Sequence, residues 1–141
     1  MDRPSIPCCI SALIFIINVI VAYKYGYYLY SALFAALIIT SLIHHSTKTP
    51  TTYLIDKIFV YAIVLYGGYI FFDKIIRKGI DNINLLYSAI IVVTFLGTIV
   101  LYYYGHATNS FCFAKDPDES DRWHQLMHVI TSIGHYLIVI L

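Results

Sequence analysis

Five stretches without an acidic or basic side chain dominate this sequence. A helix needs about 20 consecutive apolar residues to cross the roughly 30 Å hydrocarbon core of a bilayer, because each residue adds about 1.5 Å. The stretches predict five spans, at approximately 8–23, 28–46, 53–72, 83–104 and 122–141. Some of these spans include a few polar or charged residues at the end of the stretch where the helix is expected to begin. The sequence therefore predicts an all-α integral membrane protein, a single transmembrane domain over 1–141 built as a bundle of about five transmembrane helices.

The charge balance excludes two other classes of protein. Lys and Arg number 9 and Asp and Glu number 8, so the formal net charge is +1 and only 12% of residues are charged. A soluble domain carries about one quarter charged residues, and a nucleic-acid partner needs a basic surface. Disorder requires far less apolar content than the 60% found here. The expected partner is therefore the lipid bilayer and not a nucleic acid.

The orientation in the membrane follows from the loops. With five spans, each side receives four Lys or Arg residues, but three of those opposite the N-terminus fall between Lys74 and Lys78. A dense basic loop favours the cytosol, so the N-terminus is predicted to be non-cytosolic, with the identity of the membrane left open. No small-x-small cleavage site precedes Lys24, so the first segment is expected to remain as a span.

The three cysteines allow two interpretations. On the non-cytosolic side a disulfide can persist, and one hypothesis is a bridge from Cys112 to Cys8 or Cys9. The alternative is three small buried apolar side chains.

A few polar side chains inside the spans carry the functional prediction. Ionisable groups in a membrane usually face the protein interior and serve a site. The order of the spans places His45, Asp56, His124 and His128 near the same face of the bilayer. Ser41 and His45, like His124 and His128, are four residues apart and so share one helix face. Three neutral imidazoles and an open position form a common catalytic zinc site, in which Asp56 could deprotonate water and Ser41 could donate to an oxyanion.

Three other histidines are expected to have structural roles. His44 lies about 100° around the helix from His45, so both cannot face one ion equally. His135 lies seven residues beyond His128, about 10 Å deeper along the axis. We expect these two and His106 to donate hydrogen bonds between helices.

The pattern resembles the CREST superfamily of membrane hydrolases, which includes alkaline ceramidases and the progestin and adipoQ receptors. Those proteins carry Ser-x3-His on the second helix, Asp on the third and His-x3-His on the last. Here Ser41 and His45 are followed after ten residues by Asp56, and the last helix reads His124-Gln-Leu-Met-His128, then Gly134 and Tyr136. The resemblance covers roughly residues 38–61 and 123–137.

The resemblance implies a zinc ion bound by His45, His124 and His128, with Ser41 and Asp56 assisting the attack of water on a lipid amide. The superfamily has seven spans, so this chain is predicted to be a reduced version. Because an even number of spans is missing, the His-x3-His pair stays on the correct side. The N-terminus lacks the acidic calcium-binding cluster that is typical of alkaline ceramidases.

The sequence thus predicts an intramembrane zinc-dependent hydrolase of a lipid amide or ester, ceramide-like by resemblance. The alternatives are a non-enzymatic, metal-containing receptor or scaffold protein of the same superfamily, a bis-histidine haem-binding bundle, and a membrane protein whose polar residues only join helices. A shortened pocket wall is also compatible with a homo-oligomer in which a second protomer closes the pocket.

Overall fold

A computed structural model describes residues 3–79 and 82–141 of the chain, and all regular structure in these residues is helical. The elements in chain order are α1 (Ile6–Ala12), α2 (Phe15–Lys24), α3 (Tyr28–Thr47), α4 (Pro50–Lys78), α5 (Leu85–Ile99), a π-helical turn (Val100–Tyr104), α6 (Gly105–Thr108), a 3₁₀ turn (Phe111–Phe113) and α7 (Pro117–Ile140).

Four helical segments are long and apolar enough to cross a membrane. They are Ile6–Lys24, Tyr28–Thr47, Pro50–Lys78 and Leu85–Phe113. The fifth predicted span falls in α7, whose 24 residues give sufficient length, but whose histidines lower its mean hydropathy and leave it outside this set. The bundle therefore has five long helical segments, of which four are membrane-span candidates by length and composition.

The outer surface of the bundle is also suited to a lipid environment. Large aliphatic side chains point away from the bundle, with Leu65 75%, Ile76 80% and Val93 67% exposed. A soluble protein rarely presents so continuous an apolar surface, whereas lipid is a suitable solvent for it and helices satisfy their own backbone groups there.

The first span is bent in its middle. At Leu13 and Ile14 the backbone N–H groups bond to carbonyls three residues back, at 3.2 Å and 3.1 Å, in place of the regular α-helical pattern. In the preceding turn the Ser11 hydroxyl donates to the Cys8 carbonyl at 3.1 Å, a local bond of the kind that bends helices. The bend divides the span into α1, at the N-terminal side, and α2.

The connection between α3 and α4 is a sharp reversal. Lys48 ends α3 in the left-handed conformation with φ 52°, and Thr49 caps α4 by accepting from the Thr52 amide at 3.2 Å. Pro50 occupies the first turn, where its missing N–H costs nothing. This short hairpin holds the last turn of α3 against the first turns of α4.

The remaining helices form an open arc. α3 packs against α4 and against α1 and α2, while α7 packs against α1, α2 and α5. Tyr30 and Phe34 of α3 are fully buried where these helices meet. Gly134 permits the close approach of α5, because a Cβ there would collide with the Thr94 side chain. The arc places α4 and α5 at its two ends.

The cysteines are free thiols in the structure, so the disulfide hypothesis is wrong for this state. Cys112 is buried with its Sγ 3.9 Å from the sulfur of Met127, and Cys8 is buried with its Sγ 3.5 Å from a carboxylate oxygen of Asp121. Cys9 is half-buried. Small apolar packing, the alternative interpretation, describes Cys8 and Cys112.

Candidate metal centre

Three histidines from two helices converge near the N-terminal side of the bundle. His45 lies in the last turn of α3, and His124 and His128 occupy successive turns of α7. One potential ligand nitrogen from each lies within 4.8 Å of the other two. Nitrogen ligands of a tetrahedral zinc ion at bonds of about 2.0–2.1 Å are roughly 3.3 Å apart. The group could therefore hold a metal ion, as the sequence pattern predicts.

The environment of the cluster is dry and short of hydrogen-bond partners. His45 is 2% exposed and His128 is 6% exposed, while His124 is partly exposed. The buried Nδ1 of His45 has no hydrogen-bond partner among the described residues. A buried polar atom without a hydrogen-bond partner destabilises the folded state. Coordination of a cation by the histidines would give their ring nitrogens a binding partner in place of a hydrogen bond.

A serine on the first helix fixes the third histidine. The Ser11 hydroxyl lies 2.8 Å from Nδ1 of His128 and 3.1 Å from the Cys8 carbonyl. The Cys8 carbonyl can only accept, so when the Ser11 proton goes to Cys8 the Ser11 oxygen accepts from Nδ1–H of His128. This tautomer leaves the Nε2 lone pair of His128 free for a metal, which is the usual arrangement around a ligating imidazole.

The predicted Ser41 and Asp56 lie together beside the cluster. Ser41 is on α3, one turn before His45, and donates its hydroxyl proton to a carboxylate oxygen of Asp56 at 2.6 Å. Thr40 makes a longer contact with the same oxygen at 3.4 Å. Both Ser41 and Asp56 are buried, at 3% and 4% exposed. In this state the Ser41 proton is engaged by Asp56, so the hydroxyl orients the carboxylate.

The other three histidines do not belong to the three-histidine group. His135 is buried one level deeper, where its Nδ1 hydrogen-bonds to the Tyr30 hydroxyl of α3. This is the helix-to-helix bond that the sequence predicted for it. The His44 ring lies beside that of His45, with centroids 5.2 Å apart, and its Nδ1 is 3.5 Å from the Thr52 hydroxyl. His106 packs its ring edge-on against Phe113 with centroids 4.9 Å apart.

A large cavity begins at this cluster and runs into the bundle. Its volume is about 660 Å³, within the roughly 300–1,000 Å³ typical of ligand pockets. One end is polar, with Ser41, Asp56, Lys57, His124 and His128. The remaining surface is mainly apolar and comes mostly from α4, α5 and α7, although His135 and three threonines also contribute to it.

The cavity opens sideways between α4 and α5. Its walls include side chains that are largely exposed, among them Leu65 of α4 and Phe95 of α5, at 75% and 50%. In a membrane this opening would face the acyl chains, so a lipid could enter without leaving the bilayer.

We find no match for the chain among protein-family models, curated proteins or solved structures. The fold and the histidine cluster therefore rest on the sequence and the geometry described above.

Two features of the site were missed by sequence reasoning. Ser11 is a common residue in an apolar helix, and nothing in its spacing marks it as a partner of His128. Lys57 is one of the few ionisable residues within a predicted span, but the sequence pattern assigned it no role, although it lines the cavity. The signal that was available for Lys57 is the general cost of a cation within a membrane span.

Proposed function

We propose that the protein is a zinc-dependent hydrolase that cleaves an amide or ester bond of a membrane lipid. The observation that carries the proposal is the convergence of His45, His124 and His128 at the polar end of an apolar cavity that is open to the bilayer. The resemblance to the CREST superfamily supports the same chemistry and adds a ceramide-like amide as the first substrate to test. We also propose that α7 crosses the membrane with the other helices, and that the N-terminus is non-cytosolic.

Zinc suits this donor set better than other metals. Three imidazoles and no thiolate are typical of open catalytic zinc sites, and the bond from His128 Nδ1 to Ser11 gives one of them the required tautomer. Zinc held there would supply Lewis acidity and a lowered pKa for water.

The side chains beside the cluster have the roles of a base and its orienting group. Asp56 accepts a proton from the attacking water, whose oxygen bonds to the carbonyl carbon of the lipid. Ser41 holds the carboxylate in place through the 2.6 Å bond. Once Asp56 is protonated, the Ser41 hydroxyl can turn and donate to the developing oxyanion. As the carbonyl–nitrogen or carbonyl–oxygen bond breaks, the carbonyl of the acid re-forms and Asp56 gives its proton to the departing nitrogen or oxygen, which releases an acid and an amine or alcohol.

Haem binding is disfavoured by the spacing of the rings. Bis-histidine ligation places the porphyrin plane between two imidazoles. The ring centroids of the three histidines are only 4.7–5.7 Å apart, which leaves no room for a macrocycle between any pair. His135 hydrogen-bonds to the Tyr30 hydroxyl and packs edge-on against the Tyr30 ring. None of the ring pairs in the described residues joins it to another histidine.

Metal analysis of the purified protein tests the proposal. We expect about one zinc per chain, lost in His124→Ala and retained in the control His106→Ala, whose ring lies outside the cluster. Hydrolysis of a ceramide and of matched ester lipids is then measured on the zinc-loaded protein. Absence of zinc would overturn the whole proposal, while zinc without turnover of any amide or ester lipid would favour the receptor or scaffold alternative.

A further inference from the structure

Lys57 is a cation inside a membrane-span candidate, and no ion pair joins it to a carboxylate among the residues that the structure describes. Oδ1 of its neighbour Asp56 accepts from Ser41 and contacts the Thr40 hydroxyl, and the two ion pairs found in the described residues, Arg3–Asp118 and Arg77–Asp73, do not involve Lys57. Adjacent helical residues point about 100° apart, so Asp56 and Lys57 line the cavity from neighbouring directions without forming an ion pair in the structure.

Aromatic rings are the only favourable contacts of its ammonium group that the structure describes. Nζ lies 4.2 Å from the ring centroid of Tyr102 and 5.3 Å from that of Tyr53. A cation–π contact contributes about 0.5–2 kcal/mol, and it uses none of the three N–H donors of an ammonium group. No hydrogen-bond acceptor for Nζ occurs among the described residues, so these donors remain available.

The tyrosines also fix where the ammonium points. Tyr102 and Tyr103 come from the π-helical turn, and their hydroxyls lie 2.7 Å and 3.0 Å from those of Tyr53 and Tyr61 on α4. These two hydroxyl pairs join the ends of the arc at the level of the metal cluster. Lys57 is thereby held at the polar end of the cavity, which it lines together with Asp56 and His124.

We infer that the cavity selects an anionic lipid, whose phosphate or carboxylate oxygens bind Lys57 while its acyl chain occupies the cleft between α4 and α5. The inference rests on the proposed function for the identity of the site and narrows its substrate class. A neutral ceramide would leave the three N–H donors of Lys57 without acceptors, whereas an oxyanion accepts them in a charge-assisted bond. The apolar lining and the lateral opening accommodate the chain.

Lipid binding by the purified full chain in nonionic detergent tests the inference without relying on turnover. The probe is a phosphatidic acid with a fluorescent acyl chain, and other lipids compete with it for the site. Two anionic competitors are each paired with a neutral lipid of the same chains: phosphatidic acid with diacylglycerol, and oleate with oleyl alcohol. We expect at least one anionic lipid to bind about tenfold or more tightly than its neutral counterpart, since hydrogen bonds to charged groups contribute about 1.5–3 kcal/mol.

Variants connect the preference to one side chain. In Lys57→Gln the anionic preference is expected to fall to within about twofold, whereas Lys57→Arg retains it because the charge is kept. Lys115→Gln removes the same charge from an exposed loop position and is expected to bind like the wild type. An unchanged preference in Lys57→Gln, or no preference in the wild type, would overturn the inference.

Two further readouts separate the alternatives. Inorganic phosphate that competes as well as phosphatidic acid would overturn the assignment of a lipid, and so would a stable dimer that binds no lipid, because a second copy would then cover the cleft. Zinc content is measured on the same samples. Zinc without an anionic preference refutes only this inference, whereas an anionic preference without zinc refutes only the proposed hydrolase.

Discussion

The Ser11 hydroxyl lies 2.8 Å from Nδ1 of His128, which links the first helix of the chain to the last. The bond makes the histidine cluster a product of three helices, because the candidate ligands come from α3 (His45) and α7 (His124 and His128), whereas Ser11 comes from α1. Groups of this kind set both the tautomer and the direction of a ligating ring.

Replacement of Ser11 by alanine is expected to weaken zinc binding without removing a ligand. Loss of an outer-shell partner typically costs about 10–100-fold in metal affinity. Competition with a chromophoric chelator measures the change. Ser46→Ala serves as the control, because Ser46 is exposed at the end of α3 and bonds to its own helix at 2.7 Å. Equal affinities of the two variants would show that Ser11 does not orient His128.

Replacement of Asp56 by asparagine separates catalysis from metal binding. The amide preserves the size of the side chain and can still accept from Ser41, but it cannot take a proton. We expect hydrolysis to fall by about 10²-fold or more while the zinc content stays unchanged. Asp73→Asn, at the other end of α4, is the matched control. Full activity of Asp56→Asn would exclude Asp56 as the base.

Acidification is expected to release the metal. A histidine binds zinc only through a neutral imidazole nitrogen, so protons compete with the ion and affinity falls as the pH falls. We expect zinc to be retained at about pH 7–8 and lost as the pH drops below about 6, where free imidazole becomes protonated. Dialysis at each pH followed by metal analysis measures this, with circular dichroism to verify that the helices persist. Zinc that stays bound at every acidic pH at which the helices persist would contradict a site made of three histidines.

Two adjacent glycines on α4 provide a test of the packing around His135. A Cβ on Gly67 would collide with the Tyr30 hydroxyl and lie 3.0 Å from Nδ1 of His135, whereas a Cβ on Gly68 meets nothing within 4 Å. Gly67→Ala is expected to destabilise the protein by about 1–3 kcal/mol. Gly68→Ala should be neutral or stabilising by up to about 1 kcal/mol, because alanine favours the helix. Thermal unfolding in detergent compares them, and equal melting temperatures would refute the predicted contact.

Much of the architecture follows from simple patterns in the chain. Charge-free apolar runs predict helices for a physical reason, since a backbone in lipid has to satisfy its own hydrogen bonds. The prediction that α7 is a membrane span like the others is confirmed only in part. Its three histidines, His124, His128 and His135, make that helix more polar than the other spans. The boundaries of α4 also differ, since Pro50 and the Thr49 cap start it three residues before the predicted residue 53.

The sequence alone determined which polar side chains share a helix face and which lie near one end of the bundle. Helical periodicity fixes the relation of His124 to His128, and the alternation of spans fixes the level of His45, so their meeting was predictable. Only the tertiary structure decided which helix borders which. Which helices are neighbours depends on side-chain packing between segments that are distant in the chain. Short-range patterns such as spacing and hydropathy do not reveal this packing. The partnership of Ser11 with His128, the engagement of Ser41 by Asp56 and the position of Lys57 over Tyr102 all arise at that level.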